Sequence, residues 1–525
     1  MKYIQGKDRN QIPLFVGCLE EAIDADNEVR LIDAFVEALP LADFGFKLDQ
    51  IDNGRPAYHP ADLLKLFLYG YLNRIRSSRL LEKECNRNLE VRWLLKGLVP
   101  DHNTISNFRK NNPDAIRKVF RATVELGKRF DLVGGKLLAG DSTKMRAQNS
   151  KKNNFNAKKL QEKLDYIDKK LEDYNKELAR EDGDKPESPK AAATKKAIAT
   201  QLERRQQYEQ MQQQLQNSEE VQISTSDPDS RQLITRNHIT EVGYNIQTTV
   251  DAQHYLTLDY LVTNTNDSKA MGQMVERAVE VLGHNQFTAL YDKGYHTGTE
   301  LKQAAELGVE VLVAIPAVSS HAPDSVFDVS RFTYVATDDY YVCPIGQLLR
   351  TNGRWYGKAH GKTTVQVKHY KTEHCLKCDF AERCTRNKAG RLIERSEYAP
   401  YYEDNAKRIQ AKEALYKRRQ AIVEHGYGIL KRQWGFYFIS TKKTIEHAAA
   451  DVGLMFTALN LRRIFNLIPK NVLQAYLKGL AFIFDQLNAL LQLIRATERL
   501  LNFQLRTTAI FSQRPSQLIK MSYIG

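Results

Sequence analysis

Between residues 133 and 315 the chain alternates short β-branched or aromatic runs with helix-like segments, and no other feature constrains its fold as strongly. Gly134-Gly135-Lys136-Leu137-Leu138-Ala139-Gly140-Asp141 is a short apolar run closed by an acid, which predicts a buried strand. Val242 to Val250 and Tyr255 to Val262 predict two further strands, with Asp251-Ala252-Gln253-His254 as the hairpin turn between them. Phe287 to Tyr291 and Val309 to Ile315 predict another pair, separated by a helix from Leu301 to Gly308. Strand, helix and strand in that order mean an α/β core.

The flanks read differently. Residues 1–130 are helical in pattern: Leu31, Phe35, Val36 and Leu39 recur at helical spacing, as do Leu63, Leu64, Phe67, Leu68, Tyr71 and Leu72. Asp62 or a neighbour suits the cap of the second of these helices, just after Pro60, and Ser77 that of a short third one. Asp101 suits the cap of another, with Ile105 and Phe108 on a buried face. Its polar positions, His102, Asn103, Thr104, Ser106, Asn107, Arg109 and Lys110, would face a DNA groove if this is a helix-turn-helix reader. An ordinary short helix with a polar face fits the same residues.

Two stretches interrupt the core. Over 151–217, Leu160, Leu164, Ile167, Leu171, Tyr174 and Leu178 form a heptad stripe, then a charged break and a second helix from about Ala191 to Gln216 predict a helical hairpin. With 15 basic and 14 acidic residues over 151–220, it suits a spacer or protein–protein arm better than a DNA clamp. The second stretch, 321–400, is rich in strand and turn residues and carries 12 basic but 5 acidic residues over 341–400. The whole chain of 525 residues has a net charge of +14, so half the excess sits in that one segment. A polyanionic partner is implied, nucleic acid ahead of membrane. The most apolar stretch, Leu480 to Ile494, is broken by Asp485, Gln486, Asn488 and Gln492 and is too short to span a bilayer. No apolar signal region opens the chain, and six cysteines make no disulfide framework, so a soluble protein of a reducing compartment is expected. Residues 466–525 carry apolar stripes without a chemical motif and read as a helical tail.

Three acids stand out by position. Asp141 and Asp292 each close a predicted strand, and strand ends are where ligands bind in open α/β sheets. Glu424 shares a predicted helix face with Tyr427 and Lys431, and an acid beside a phenol and an amine suits a site for metal and phosphate together. Any one of these acids alone would be an ordinary solvated residue. Asp251, Asp227, Asp229, Glu403 and Asp404 compete for such roles but read as structural. Cys375-Leu376-Lys377-Cys378, with Cys384 and the upstream Cys343, matches a closed Cys₄ site for structural Zn²⁺, with His374 and His369 as alternates; free buried thiols or a redox pair are the other readings. Cys18 and Cys85 read as isolated core residues. Arg354-Trp355-Tyr356-Gly357-Lys358 and Lys431-Arg432-Gln433-Trp434 suit DNA backbone and base contacts, or equally cations laid over half-buried rings.

Taken in order, several motifs resemble the insertion-sequence transposases of the DDE type. They are His59-Pro60-Ala61-Asp62-Leu63-Leu64, Asp101-His102-Asn103-Thr104-Ile105-Ser106, Gly140-Asp141-Ser142-Thr143-Lys144 and Lys151-Lys152-Asn153-Asn154-Phe155-Asn156. After these come Ser226-Asp227-Pro228-Asp229-Ser230-Arg231, Gly243-Tyr244-Asn245, Asp292-Lys293-Gly294-Tyr295 and the helix with Tyr416, Glu424 and Lys431. The resemblance spans roughly residues 30–465. It implies an RNase H-like mixed sheet flanked by helices over 131–465, a helical DNA-binding domain over 1–130, and a β-rich, zinc-ribbon-like insertion over 321–400. It makes Asp141, Asp292 and Glu424 the catalytic triad holding two Mg²⁺ or Mn²⁺ ions, with Tyr416, Arg419, Tyr427 and Lys431 on phosphate or DNA. The family signature leaves three residues between Arg and Glu; here Gln420 falls in the Arg place and four residues separate Arg419 from Glu424. The implied partners are double-stranded DNA and a second copy of the chain, in a cytoplasmic, bacterial setting. A metal-dependent nuclease without strand transfer, or a non-catalytic DNA-binding regulator, are the alternatives.

Overall fold

The computed structural model describes residues 18–48, 56–181, 189–218, 220–234, 239–317, 322–360, 363–441 and 443–484, with Gln486 and Thr497. Its contacts divide the chain into two compact units, Met1–Ala122 with Asn460–Gly525, and Thr123–Leu459.

The first unit is helical: α1 Glu28–Glu37, α2 Leu41–Phe44, α3 Pro60–Leu72, α4 Ser78–Arg87, α5 Leu89–Leu94, α6 His102–Asn111, and the start of α7 Pro113–Arg129. Helix α3 is buried nearly all round, as its unbroken apolar run requires. Even Lys65 is only 1% exposed, and its ammonium meets Asp33 at 2.7 Å and Glu37 on α1. A buried cation is tolerable only when paired in this way. The α3 cap is His59 rather than Asp62: His59 Nδ1 accepts from Ala61 N at 3.2 Å, and Pro60 takes the first helical position, where a missing N–H costs nothing. Cys85 is buried as expected, whereas Cys18 is exposed and belongs to no core.

The second unit is built on a six-stranded mixed sheet. Strand β1 (Leu137–Arg146) leads through the short β2 (Asn154–Asn156) to two long helices, α8 (Ala157–Glu181) and α9 (Pro189–Asn217). Along α8, Leu160, Leu164 and Ile167 are buried; α9 contributes polar seam residues instead, Thr194 and Gln201, and Arg205 reaches Asp168 at 2.8 Å. The chain returns through β3 (Gln222–Ser224) and β4 (Arg231–Ile234) to β5 (Thr240–Asp251) and β6 (Thr257–Thr263), then α10 (Met271–Leu282), β7 (Thr288–Tyr291), α11 (Gly298–Glu306) and β8 (Glu310–Val313). The sheet order is β4-β5-β1-β7-β8, with β6 also on β5; β1, β5 and β6 run antiparallel, while β7 and β8 run parallel to β1. Strand β1 runs five residues past Asp141 instead of ending there, because β5 pairs with its whole length while β7 pairs only with Leu137, Leu138 and Ala139. Asp251, at the β5 end, accepts from the Gly134, Gly135 and Gln253 amides and serves the hairpin.

Two small antiparallel sheets follow: β9 (Thr333–Val335), β10 (Tyr340–Val342) and β11 (Leu348–Arg350), then β12 (Trp355–His360), β13 (Thr363–Tyr370) and β14 (Ile393–Ser396), with α12 (Ala381–Cys384) before the last strand. Their shared core is small: Phe332, Tyr341, Leu349, Tyr370 and Ile393. The Arg395 guanidinium lies 3.6 Å from the Tyr334 ring centroid and donates to Tyr341 Oη and Glu403. The chain then forms α13 (Ala399–Ala411), α14 (Glu413–Lys417), α15 (Arg419–Tyr427), a π-helical turn over Gly428–Gln433, and α16 (Ile445–Leu467). Helical backbone resumes over 470–484. Most of the apolar stretch from Leu480, and the rest of the tail, lies outside the described residues. Among the described residues no helix is long and apolar enough to cross a membrane.

Candidate active site

Asp141 and Asp292 are brought together by strand register. Ala139 pairs with Leu290, and two further steps along these parallel strands set Asp141 level with Asp292. Successive strand residues face opposite sides, so both carboxylates fall on one face just where the β1–β7 pairing stops. The close approach of these strands needs a glycine at 140, since a Cβ there would stand 2.0 Å from the Tyr291 ring. Glu424 arrives from α15, which packs Ile422 and Val423 into the core formed by Ala139, Leu290 and Leu312 and leaves Glu424 exposed on the other side.

All three acids line one open cleft of about 1100 Å³. Asp141 Oδ1 accepts from Ser142 N at 2.8 Å and Oδ2 from Arg419 Nη1 at 3.2 Å. Burial pushes the Asp141 carboxyl above its ordinary pKa; Arg419 and the Ser142 amide oppose that, and the neighbouring Asp292 charge adds to it. Asp292 Oδ1 accepts from Gly294 N at 2.8 Å, and Glu424 Oε1 from Gln420 Nε2 at 3.1 Å.

The accessory residues hold the frame. Tyr427 Oη meets Thr248 Oγ1 at 2.6 Å and donates to the Asp141 carbonyl at 2.9 Å; burial and the Asp141 charge keep that phenol protonated. Tyr416 donates to the Tyr291 carbonyl at 3.2 Å, and Lys431 Nζ to the Lys144 carbonyl at 2.8 Å. Lys431 lies in the π-helical turn, so it does not continue the straight α-helical face expected from its seven-residue spacing to Glu424. Arg419 reaches Asp141 despite the irregular spacing to Glu424.

Sequence reasoning missed Asp267. It lines the same cleft, with Lys144 at 3.1 Å, Asn245 at 2.7 Å and Gln247 at 2.9 Å. Burial alone would raise its carboxyl, but Asn245, Lys144, Ser142 and Gln247 together hold it below the usual range. Its signal was available only through Gly243-Tyr244-Asn245, since Asn245 anchors it. Asp227 accepts from Tyr244 Oη and Asp229 from Ile445 N, both away from the cleft lining.

Helix α6 exposes Asn103, Ser106, Asn107 and Lys110, with His102 and Thr104 half-buried; His102 Nδ1 lies 3.0 Å from Glu82. Arg109 must be taken off the proposed reading face. It is 5% exposed, donates to Tyr71 Oη at 2.8 Å and lies over the Phe67 ring, because four residues after Ile105 it falls on the helix's buried stripe. Of the basic-aromatic clusters, Trp355 and Tyr356 are exposed, with Lys368 over the Trp355 ring, whereas Trp434 is buried against Phe436.

The donor chemistry of the cleft fits a divalent cation: hard carboxylate oxygens at neighbouring strand ends, already in electrostatic contact. Among the described residues, however, no three His, Cys, Asp or Glu stand at metal-holding spacing.

Two family models match the chain. The Transposase domain (DUF772) model covers residues 17–111, and the Transposase DDE domain model covers residues 342–465. The second includes Glu424 and the cysteines of 343–384; Asp141 and Asp292 fall outside both. No curated protein sequence matches. One solved chain, from the cryo-EM structure of a piggyBac transposase synaptic complex with hairpin DNA, is similar at 10% identity and a TM-score of 0.29, over 87% of this chain and 80% of that one. A likeness of that order defines no common fold. Both matched models are of transposase domains, so over those residues the chain is similar to DNA transposases. The second of these matches is to a domain of the DDE type.

Proposed function

We propose that the protein cuts DNA at the terminal inverted repeats of its element and joins the freed ends to target DNA, using Asp141, Asp292 and Glu424 as the acids of an RNase H-like core. The observation that carries this reading is the levelling of Asp141 with Asp292 at the end of the β1–β7 pairing, with Glu424 lining the same cleft. The antiparallel β6-β5-β1 half joined to the parallel β7-β8 half supports the RNase H-like reading. Two Mg²⁺ or Mn²⁺ ions held by these carboxylates would neutralise charge developing on the attacking and leaving oxygens of the phosphodiester. The chain's own residues do the rest. Thr248 and Tyr427 fix the backbone of Asp141, and Tyr416 fixes that of Tyr291, so the two aspartates are held on rigid strands. Arg419 neutralises Asp141 across 3.2 Å and adds a guanidinium to the cleft that would suit a phosphate. Lys144, Arg146, Lys431 and Arg432 line the cleft and offset its acids toward a polyanion. The exposed polar residues of α6 are the candidate readers of the DNA end, and two ends brought together imply a homodimer.

The test uses a duplex carrying the element's end. Asp141→Asn and Asp292→Asn should remove Mg²⁺-dependent cleavage and leave end binding in place; persistent cleavage would refute the assignment. Pre-cleaved ends offered with a target duplex separate a transposase from a simple nuclease by the presence of joined product.

A further inference from the structure

Four of the six cysteines stand together, Cys375, Cys378 and Cys384 from one stretch of chain and Cys343 from well upstream. Cys343 follows β10, Cys375 and Cys378 lie in and just after the 3₁₀ turn Glu373–Lys377, and Cys384 ends α12; all four line one cavity of about 30 Å³. That is room for an ion or a water and little else. None of the four is in a disulfide.

The backbone around the cavity is shaped for thiolate. In Cys343-Pro344-Ile345-Gly346-Gln347, Gly346 at φ +83° turns the chain back, so that Cys343 N donates to Gln347 O at 2.9 Å and Gly346 N to Cys343 O at 2.8 Å. This aims Gln347 N at Cys343 Sγ, 3.2 Å away. On the far side Gly390, at φ +89°, passes so close that a Cβ there would stand 2.6 Å from Cys375 Cβ. Arg391, only 7% exposed, lines the cavity and donates to the Cys384 carbonyl at 3.1 Å. Four thiolates here would repel one another unless a cation sat between them. Phe327, Phe332 and Leu349 wall the same cavity from water.

We propose that Cys343, Cys375, Cys378 and Cys384 are the four ligands of a single structural zinc ion that ties the β9–β11 sheet to the segment between β13 and β14. Four sulfur ligands and no open position are the pattern of a closed tetrahedral site. The sulfurs converge without standing at ligand spacing, so the ion draws them inward and their protons pass to solvent. His374 also borders the cavity but is a bystander, and His369 is turned away, stacked on Tyr356 at 4.5 Å. A core as small as this one gains most from such a tie.

Metal analysis of the full-length protein, purified under reducing conditions without chelator, tests this independently of DNA cleavage. One zinc per chain is expected, retained by Asp141→Asn, His374→Ala and the Cys18→Ser/Cys85→Ser pair, and lost by Cys375→Ser/Cys378→Ser. If the last variant does not fold, cobalt exchanged into the wild-type protein decides instead, by the thiolate-to-metal absorption of a tetrahedral sulfur site. A wild-type protein holding no zinc, iron in place of zinc, a Cys375–Cys378 disulfide, or full zinc in the Cys375→Ser/Cys378→Ser variant would each overturn the proposal.

Discussion

The carboxylate-bearing sheet and the cysteine-bearing pair of small sheets are both β structure, yet opposite means hold them together. In the large sheet Leu138, Ala139, Tyr244, Ile246, Leu290 and Leu312 are all at most 2% exposed, and helices supply the cover. Strands buried on both faces admit a charge only where it is paired, as Asp259 is with Arg277, or where a neighbouring strand ends, as β7 does before Asp292. The small sheets have strands of three to eight residues and a core of five buried side chains. So little apolar area supplies little stability, and the gap is filled by a tyrosine cluster, a buried arginine and a thiol-lined cavity. One region places charge by excluding it; the other is built on charge and sulfur.

The largest way to break this contrast lies in the cleft. Asp141→Asn or Asp292→Asn should cost about a thousandfold or more in cleavage rate, since metal binding contributes several kcal/mol to such chemistry, with the thermal transition retained. Leu290→Ala should cost about 2–5 kcal/mol in a denaturant titration, the range for emptying a packed aliphatic site, and should leave the thiol reactivity of the small sheets as it was. Arg395→Ala should do the reverse, loosening the small sheets by about 2 kcal/mol through lost charged hydrogen bonds, read as faster hydrogen exchange in β9–β14 alone. The smallest effect is on pH. Lys368, Tyr370 and Tyr334 hold the Asp339 carboxyl down at about 2 against the burial that would raise it, from an ordinary 3.8. A lowered folded-state value means this stability is present above pH 3.8 and is lost as pH falls toward 2. Asp339→Asn should flatten that decline, followed by tyrosine fluorescence.

Much of this was legible in the chain. The strands around Leu137, Val242, Thr257, Thr288 and Glu310 and the long helical pair announce themselves by period, because one-sided or complete burial imposes it. Motif order singled out Asp141, Asp292 and Glu424, and all three line one cleft. Asp267 was not singled out, since its partners Lys144, Asn245 and Gln247 come from two other strands and no local pattern links them. Arg109 misled, because a cation on a polar helix reads as exposed until Tyr71 and Phe67, far away in sequence, are seen to receive it.

The sequence by itself determined which segments become strands and helices, where the positive charge gathers, and which acids and thiols exist to be used, since these follow from local period and composition. Only the tertiary structure decided that Asp141 and Asp292 line one cleft with Glu424, that Arg419 reaches Asp141 across an irregular helix, and that Cys343 shares a cavity with Cys375, Cys378 and Cys384. Register and loop closure are settled by side chains that are distant in sequence packing against one another, and no single stretch of chain contains that information.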